Sequence, residues 1–139
     1  MRLGRNTKID LLKQVPLFAG CSKKELNSLA LTADEIDLRE GYLLTREGRP
    51  GGEFFVLVEG TAQVTRAGRN LAELGPGDWF GEIALLTDAP RTATVTAMSP
   101  VRVLVITSRS FRRVVQTMPS IAVKVLASVG ERLARDVKS

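Results

Sequence analysis

Histidine is absent from the 139 residues, and cysteine occurs once. The lack of histidine removes the commonest general base, the commonest zinc ligand and every Ser-His-Asp or Cys-His arrangement. A hydrolase of ordinary design is therefore not expected, and the chain is read as a non-enzyme that needs no metal. Cys21 has no internal disulfide partner and cannot alone build a thiolate cage, which fits a reducing compartment. Aromatic residues make up only 5% of the chain. No window approaches the roughly 18–20 uninterrupted apolar residues of a membrane span. Arg2 and Arg5 precede an apolar stretch ending in Leu17-Phe18-Ala19-Gly20-Cys21, an arrangement like a lipoprotein signal. Asp10, Lys13, Gln14 and Pro16 interrupt what would have to be a continuous apolar region. The expected location is cytoplasmic.

What is present suits one compact domain over residues 1–139: 44% of the residues are hydrophobic, and a chain of this length buries roughly two-thirds of its unfolded surface. The formal charge of +5 is unevenly spread. Residues 1–24 carry six basic groups against Asp10, residues 25–100 carry six Arg against twelve carboxylates, and residues 101–139 carry eight basic groups against Glu131 and Asp136. The middle is acidic and both ends are basic. With no interleaved aromatics, the basic ends read as solvated helix faces, and direct nucleic-acid binding is not expected.

Nine of the twelve glycines fall between positions 41 and 81. Between them lie short β-branched and aromatic runs at 42–45, 54–59, 61–65 and 71–74, and two more follow at 92–98 and 101–106. Short strands with closely spaced turns predict an antiparallel sandwich or barrel. The flanks are helical. Ser22, with Glu25 three residues on, forms a capping-box pattern ahead of Leu26, Leu29 and Ala30, which predicts a helix over 22–33. Ser108 opens a second helix to about Thr117, and Pro119 suits the first turn of a third running to about Val137. Ala122, Leu126, Val129, Leu133 and Val137 share one stripe of that last helix, interrupted by Gly130. The expected architecture is mainly β with flanking α-helices: a helix, a β-roll over about 36–107, and helices over about 108–138.

The stretch from Gly75 to Val95 carries the chemistry. Gly81 permits a sharp change of direction and close backbone approach, after which Glu82 to Leu86 can form a short helix. Its first amides have no intrahelical partner and make an anion site. Arg91 can fold back to offer a guanidinium fork to the same anion. Glu82 would repel a phosphate unless the ligand also presents a hydroxyl, since an ionised carboxylate only accepts hydrogen bonds. The trio therefore asks for a phosphate beside a ribose hydroxyl, as in a cyclic nucleotide. The competing reading is an ion pair between Glu82 and Arg91 that staples a loop.

Phe-Gly-Glu-Ile-Ala-Leu-Leu at 80–86 and Pro-Arg-Thr-Ala-Thr-Val at 90–95 resemble the phosphate-binding cassette of the cyclic nucleotide-binding domain family. The resemblance extends to Pro16–Leu26, Phe54–Gly60 and Leu74–Gly81, nearly the whole chain. It implies an antiparallel β-roll (a double-stranded β-helix jelly roll) with a cassette at 80–95, an N-terminal helix and C-terminal lid helices that pass ligand occupancy onward. It implies Glu82 on the ribose 2′-hydroxyl, Arg91 on the cyclic phosphate, and the backbone of Gly81, Ile83 and Ala84 completing the cradle. Thr92, where the family carries Ala, Ser or Thr, can contact the phosphate or a guanine amino group. cAMP is the first choice of ligand and cGMP stays open. Arg132 is the lid candidate by resemblance, with Leu133 and Val137 as apolar alternatives; Val64 and Leu74 are candidate base-pocket walls. No helix-turn-helix, pore or inhibitory segment accompanies these motifs, so the effector or fused output domain is expected to lie elsewhere. The alternative function is an interaction or dimerisation module with a degenerate pocket, using the apolar final helix to form a homodimer.

Overall fold

A computed structural model of the chain describes residues 3–138, with side chains through Arg135. It divides into two compact units: Ala33–Ser108, and the helical chain on either side of it.

The first unit is a β-roll of eight strands: β1 (Asp34–Leu38), β2 (Leu43–Thr45), β3 (Glu53–Glu59), β4 (Ala62–Arg66), β5 (Arg69–Leu74), β6 (Trp79–Phe80), β7 (Thr94–Ala97) and β8 (Val101–Thr107). They form two antiparallel four-stranded sheets, ordered β1-β8-β3-β6 and β2-β7-β4-β5. Inward-facing Phe55, Leu57, Val103 and Val105 of one sheet share a core with Leu44, Ala62, Val95 and Ala97 of the other. The alternation of apolar and polar residues in β7 is what a half-buried strand requires.

Two strands differ from the sequence expectation. β1 reads Asp-Glu-Ile-Asp-Leu, a poor strand composition, yet it pairs with β8 from Asp34 opposite Val105 to Leu38 opposite Val101. Arg102, opposite Asp37, explains why: its Nε donates to Asp37 Oδ1 at 2.8 Å, and Glu35 and Glu59 lie within 3.7 Å. The carboxylates, Asp37 first, raise the Arg102 pKa above its ordinary value. β6 is only two residues long and pairs with β3, where Phe80 stacks on Phe55 with ring centroids 4.9 Å apart.

The second unit contains α1 (Arg5–Lys13), a 3-10 turn at Pro16–Phe18, α2 (Lys23–Thr32), α3 (Ser108–Thr117) and α4 (Pro119–Lys138). α1 was not expected; its apolar content amounts to little more than Ile9 and Leu12, both buried. It occupies part of the stretch that superficially resembles a signal segment. The capping box forms as predicted: the Ser22 amide donates to Glu25 Oε1 at 2.7 Å, and the Glu25 amide donates to Ser22 Oγ at 3.2 Å. Glu25 also accepts from Ser120 and Lys124 of α4, so one buried carboxylate ties two helices together.

α4 packs a different face from the stripe read in the sequence. Ile121 and Val125 are buried, Ala122 and Val129 are half-buried, and Leu126 and Leu133 are exposed. The reason is rotational. Lys124 must reach Glu25, and that requirement turns Ile121 and Val125 inward and Leu126 outward. The side chain of Val137 lies outside the described residues.

The hydrogen bonds from Lys124, Ser120 and Ser22 hold the Glu25 carboxyl at about 2, below its ordinary 4.5, because they all favour the charged form. A depressed native pKa contributes stability that is complete above pH 4.5 and fades as pH falls toward about 2. Glu25→Gln is expected to cost about 2 kcal/mol near neutral pH. Thermal melts from pH 6 down to about 2 should show that loss shrinking on acidification; a constant difference across the range would contradict the assignment.

Candidate functional site

The site begins where β6 hands the chain to Gly81. Gly81 has φ 82°, in the left-handed region. A Cβ there would lie 2.8 Å from Arg91 Nη1 and 2.8 Å from the Glu53 carbonyl oxygen, so both conformation and space demand glycine. The chain then makes a single 3-10 turn, Glu82–Leu85, anchored by buried Ala84 and Leu85. This is tighter and one residue shorter than the helix expected from sequence. The Ala84 amide donates to the Gly81 carbonyl at 3.0 Å. It is thus engaged within the turn, and Glu82 and Ile83 supply the amides that precede the first internal bond.

Arg91 is fixed at both ends. Its amide donates to the Arg49 carbonyl at 2.9 Å, and its own carbonyl accepts from the Gly48 amide at 2.8 Å. The side chain is only 8% exposed. Nη2 donates to the Glu53 carbonyl at 2.7 Å and lies 3.5 Å from Glu53 Oε1. At Gly51 a Cβ would stand 2.5 Å from Arg91 Nε, so the guanidinium sits in a slot that only bare backbone permits. Burial pushes the Arg91 pKa down from its ordinary value and the Glu53 charge opposes that. The ion-pair partner of Arg91 is therefore Glu53 and not Glu82, which removes the loop-staple reading in the form stated above.

A cavity of about 300 Å³ opens beside this arrangement, at the lower end of the range for small-molecule sites. It is lined by residues 80–84 and 89–93, by Thr45, Val64 and Val95 from the strands, and by Arg66. Glu82 and Arg91 thus face one space, with Gly81, Ile83, Ala84 and Thr92. Val64 lines the same cavity, whereas Leu74 packs against the core cluster. Arg132 and Leu133 lie on α4, the first half-buried and the second 60% exposed.

Three residues of the site were missed in the sequence. Thr45 is buried and donates through Oγ1 to the Ala93 carbonyl at 2.9 Å, tying β2 to the segment that carries Arg91. Arg66 donates through Nε to the Thr92 carbonyl at 2.9 Å. Glu53, the acceptor for Arg91, follows Gly51-Gly52 at the start of β3. The only sequence signal for it is a carboxylate opening an otherwise apolar strand directly after a glycine pair.

Among the described residues no helix is long and apolar enough to cross a membrane. Residues 35–118 match the family model of the cyclic nucleotide-binding domain. The chain is 35% identical over 112 residues to a cAMP-dependent protein kinase regulatory subunit from Dictyostelium discoideum, covering 75% of this chain and 34% of the subunit. It therefore spans about a third of the length of that relative. The crystal structure of the N-terminal domain of a transcriptional regulator from Streptomyces coelicolor A3(2) matches with a TM-score of 0.83 and 31% identity, covering 93% of each chain. The cAMP-bound structure of PfPKA-R (141-441) matches with a TM-score of 0.68 and 27% identity, covering 91% of this chain and 47% of that one. A β-roll whose left-handed glycine, carboxylate and slotted arginine face one cavity, within a region matched by that family model, places the chain in the cyclic nucleotide-binding domain family.

Proposed function

We propose that the chain is a non-catalytic regulatory module that binds a cyclic purine nucleotide, cAMP first and cGMP as the alternative, and acts as one ligand-responsive domain. The observation that carries this reading is the slotted Arg91 facing the same cavity as Glu82. A guanidinium held so far from solvent is suited to a phosphate. Its neighbour Glu82 accepts from the ribose 2′-hydroxyl, and the amides of the Gly81–Ile83 segment complete the cradle. Thr92 adds a hydroxyl beside the phosphate. The cAMP-bound relative and the cAMP-dependent kinase subunit support cAMP over cGMP. Arg132, Leu133 and Val137 of α4 are the residues assigned to cover the base, so that occupancy biases the C-terminal helices toward an effector protein or fused output domain.

The test is a thermal-shift and calorimetric titration with cAMP, cGMP and non-cyclic nucleotides. A ligand at 100 times its dissociation constant contributes about 2.7 kcal/mol to stability. Arg91→Ala should weaken cAMP binding by about 2–5 kcal/mol, because a buried phosphate loses its charge partner. Gly51→Ala should weaken it about tenfold and also lower the melting temperature, since the new methyl meets Nε and displaces a buried guanidinium from the Glu53 carbonyl. Unchanged affinity in both variants would refute the site.

A second reading concerns assembly and rests on α4 itself. Val123, Leu126 and Leu133 are 68%, 70% and 60% exposed. With Gly130 between them they follow the 3-4 spacing of a coiled-coil seam. Ala122, Ala127, Val129 and Ala134 flank the seam without charge, which favours a second copy of the same helix. Sedimentation should show a concentration-dependent dimer that Leu126→Glu with Leu133→Glu converts to monomer. A wild-type monomer at every concentration would rule this out.

A further inference from the structure

The guanidinium of Arg91 is shared before any ligand arrives. Its Nη2 is committed to the Glu53 carbonyl at 2.7 Å, with the Glu53 carboxylate at 3.5 Å. That carboxylate is itself held: Oε1 accepts from the Gly52 amide at 3.0 Å. The bare backbone at Gly51 lies against Nε and that at Gly81 against Nη1, so the guanidinium is confined on those two sides. Arg66, the other cation lining the cavity, has its Nε donated to the Thr92 carbonyl, and Glu82 adds a second negative charge to the wall. An anion that enters therefore meets one buried cation, Arg91, with the Glu82 carboxylate on the cavity wall and the Glu53 carboxylate 3.5 Å from Nη2.

We infer that Glu53 is a specificity-determining residue that makes the Arg91 slot select a monoanionic phosphodiester over a dianionic phosphomonoester. The inference deepens the cyclic-nucleotide reading and rests on it. A cyclic phosphate carries one negative charge. An open 5′-phosphate carries about 1.5 to 2 at neutral pH. The first charge is matched by Arg91, and the additional charge meets the carboxylates with no further buried cation to answer it. Repulsion between fixed like charges is strongest where solvent is excluded, and Arg91 is 8% exposed while Glu53 is 46% exposed. The discrimination is therefore moderated by the solvent at Glu53. Glu53 acts through charge, whereas its main-chain carbonyl does the positioning; a side-chain substitution separates the two.

The test uses three ligands that differ in charge and ring closure: cAMP (cyclic, monoanionic), adenosine 5′-monophosphate (open, dianionic) and the methyl ester of adenosine 5′-monophosphate (open, monoanionic). Each displaces a fluorescent cAMP analogue from the wild-type chain, Glu53→Gln and Glu53→Asp near neutral pH. Glutamine keeps an acceptor for the Gly52 amide and leaves the carbonyl anchor untouched. The expected result is that Glu53→Gln improves the affinity for the dianion relative to cAMP by about fivefold or more. The methyl ester should stay within about twofold of its wild-type ratio to cAMP, and Glu53→Asp should restore discrimination toward the wild-type value. An unchanged ratio for the dianion, including no detectable displacement by it in Glu53→Gln, overturns the inference. So does an equal gain for both open ligands, which would mean that shape and not charge is being read, or an equal loss of all three, which would make the carboxylate a structural prop. A wild-type chain that fails to bind cAMP or its analogue is a separate result, which overturns the binding reading and the inference with it.

Discussion

The constraint on which the β-roll's chemistry depends is that a permanently charged guanidinium has been withdrawn from water. Arg91 cannot shed its proton to relieve the cost of burial, so the fold must supply acceptors. It does so with main chain: the Glu53 carbonyl takes Nη2, while the loop at 48–49 exchanges backbone hydrogen bonds with Arg91. Main-chain acceptors cannot rotate away, so the cation's position is set by the register of β3 and its flanking loop. Gly51 and Gly81 follow from the same requirement. Each stands where a Cβ would come within 3 Å of the guanidinium, and Gly81 also turns the chain into the short 3-10 turn that lines the cavity. One desolvated charge thus dictates two glycines, a strand register and a turn.

The helical unit solves a similar problem with the opposite sign. Glu25 is 3% exposed and satisfied by the Ser22 amide, Ser120 and Lys124. A carboxylate can accept several donors at once, which lets a single residue cap α2 and hold α4 at a fixed rotation about its axis. That rotation buries Ile121 and Val125 and leaves the Leu126 and Leu133 face outward. The same carboxylate acts on a second group: the Cys21 thiol is pushed up to about 11, first by burial and then by the nearby Glu25 charge, with Lys124 opposing both. A raised thiol pKa lowers the thiolate fraction at neutral pH.

Most of the roll was legible because its strands carry their own signals: apolar runs bounded by glycine, and alternation in β7. The Gly81, Glu82 and Arg91 trio was legible because each residue type has a narrow physical use at that spacing. β1 was not, since it forms by pairing with β8, whose Arg102 lies 65 residues away from its partner Asp37 in the chain, and no local propensity records that pairing. α1 was missed because only Ile9 and Leu12 mark its buried face. The α4 stripe read in the sequence is mostly outward, because the helix carries apolar residues on more than one side and the buried pair, Ile121 and Val125, lies beside the Lys124 that reaches Glu25, 99 residues away. Glu53 escaped for the same reason as β1: a glutamate at a strand start is ordinary until the arginine 38 residues later folds onto it.

These cases share a physical pattern. Polar groups that interact locally, as Ser22 with Glu25, leave a spacing rule in the sequence, whereas charges that pair between distant segments leave only composition. The acidic middle of the chain is an instance. Read as composition, it argues against a phosphate site, because like charges repel. In the fold, several of its carboxylates are divided between two arginines. Asp37 and Glu35 of β1 and Glu59 of β3 surround Arg102 on the β8 strand between them, and Glu53 stands beside Arg91. A buried cation left alone in an empty cavity would cost several kcal/mol. A carboxylate at the long distance of 3.5 Å offsets part of that cost without closing the fork that an incoming anion needs. The acidic surroundings are therefore compatible with the phosphate ligand proposed above, and the Glu53 carboxylate helps hold the Arg91 guanidinium in its slot.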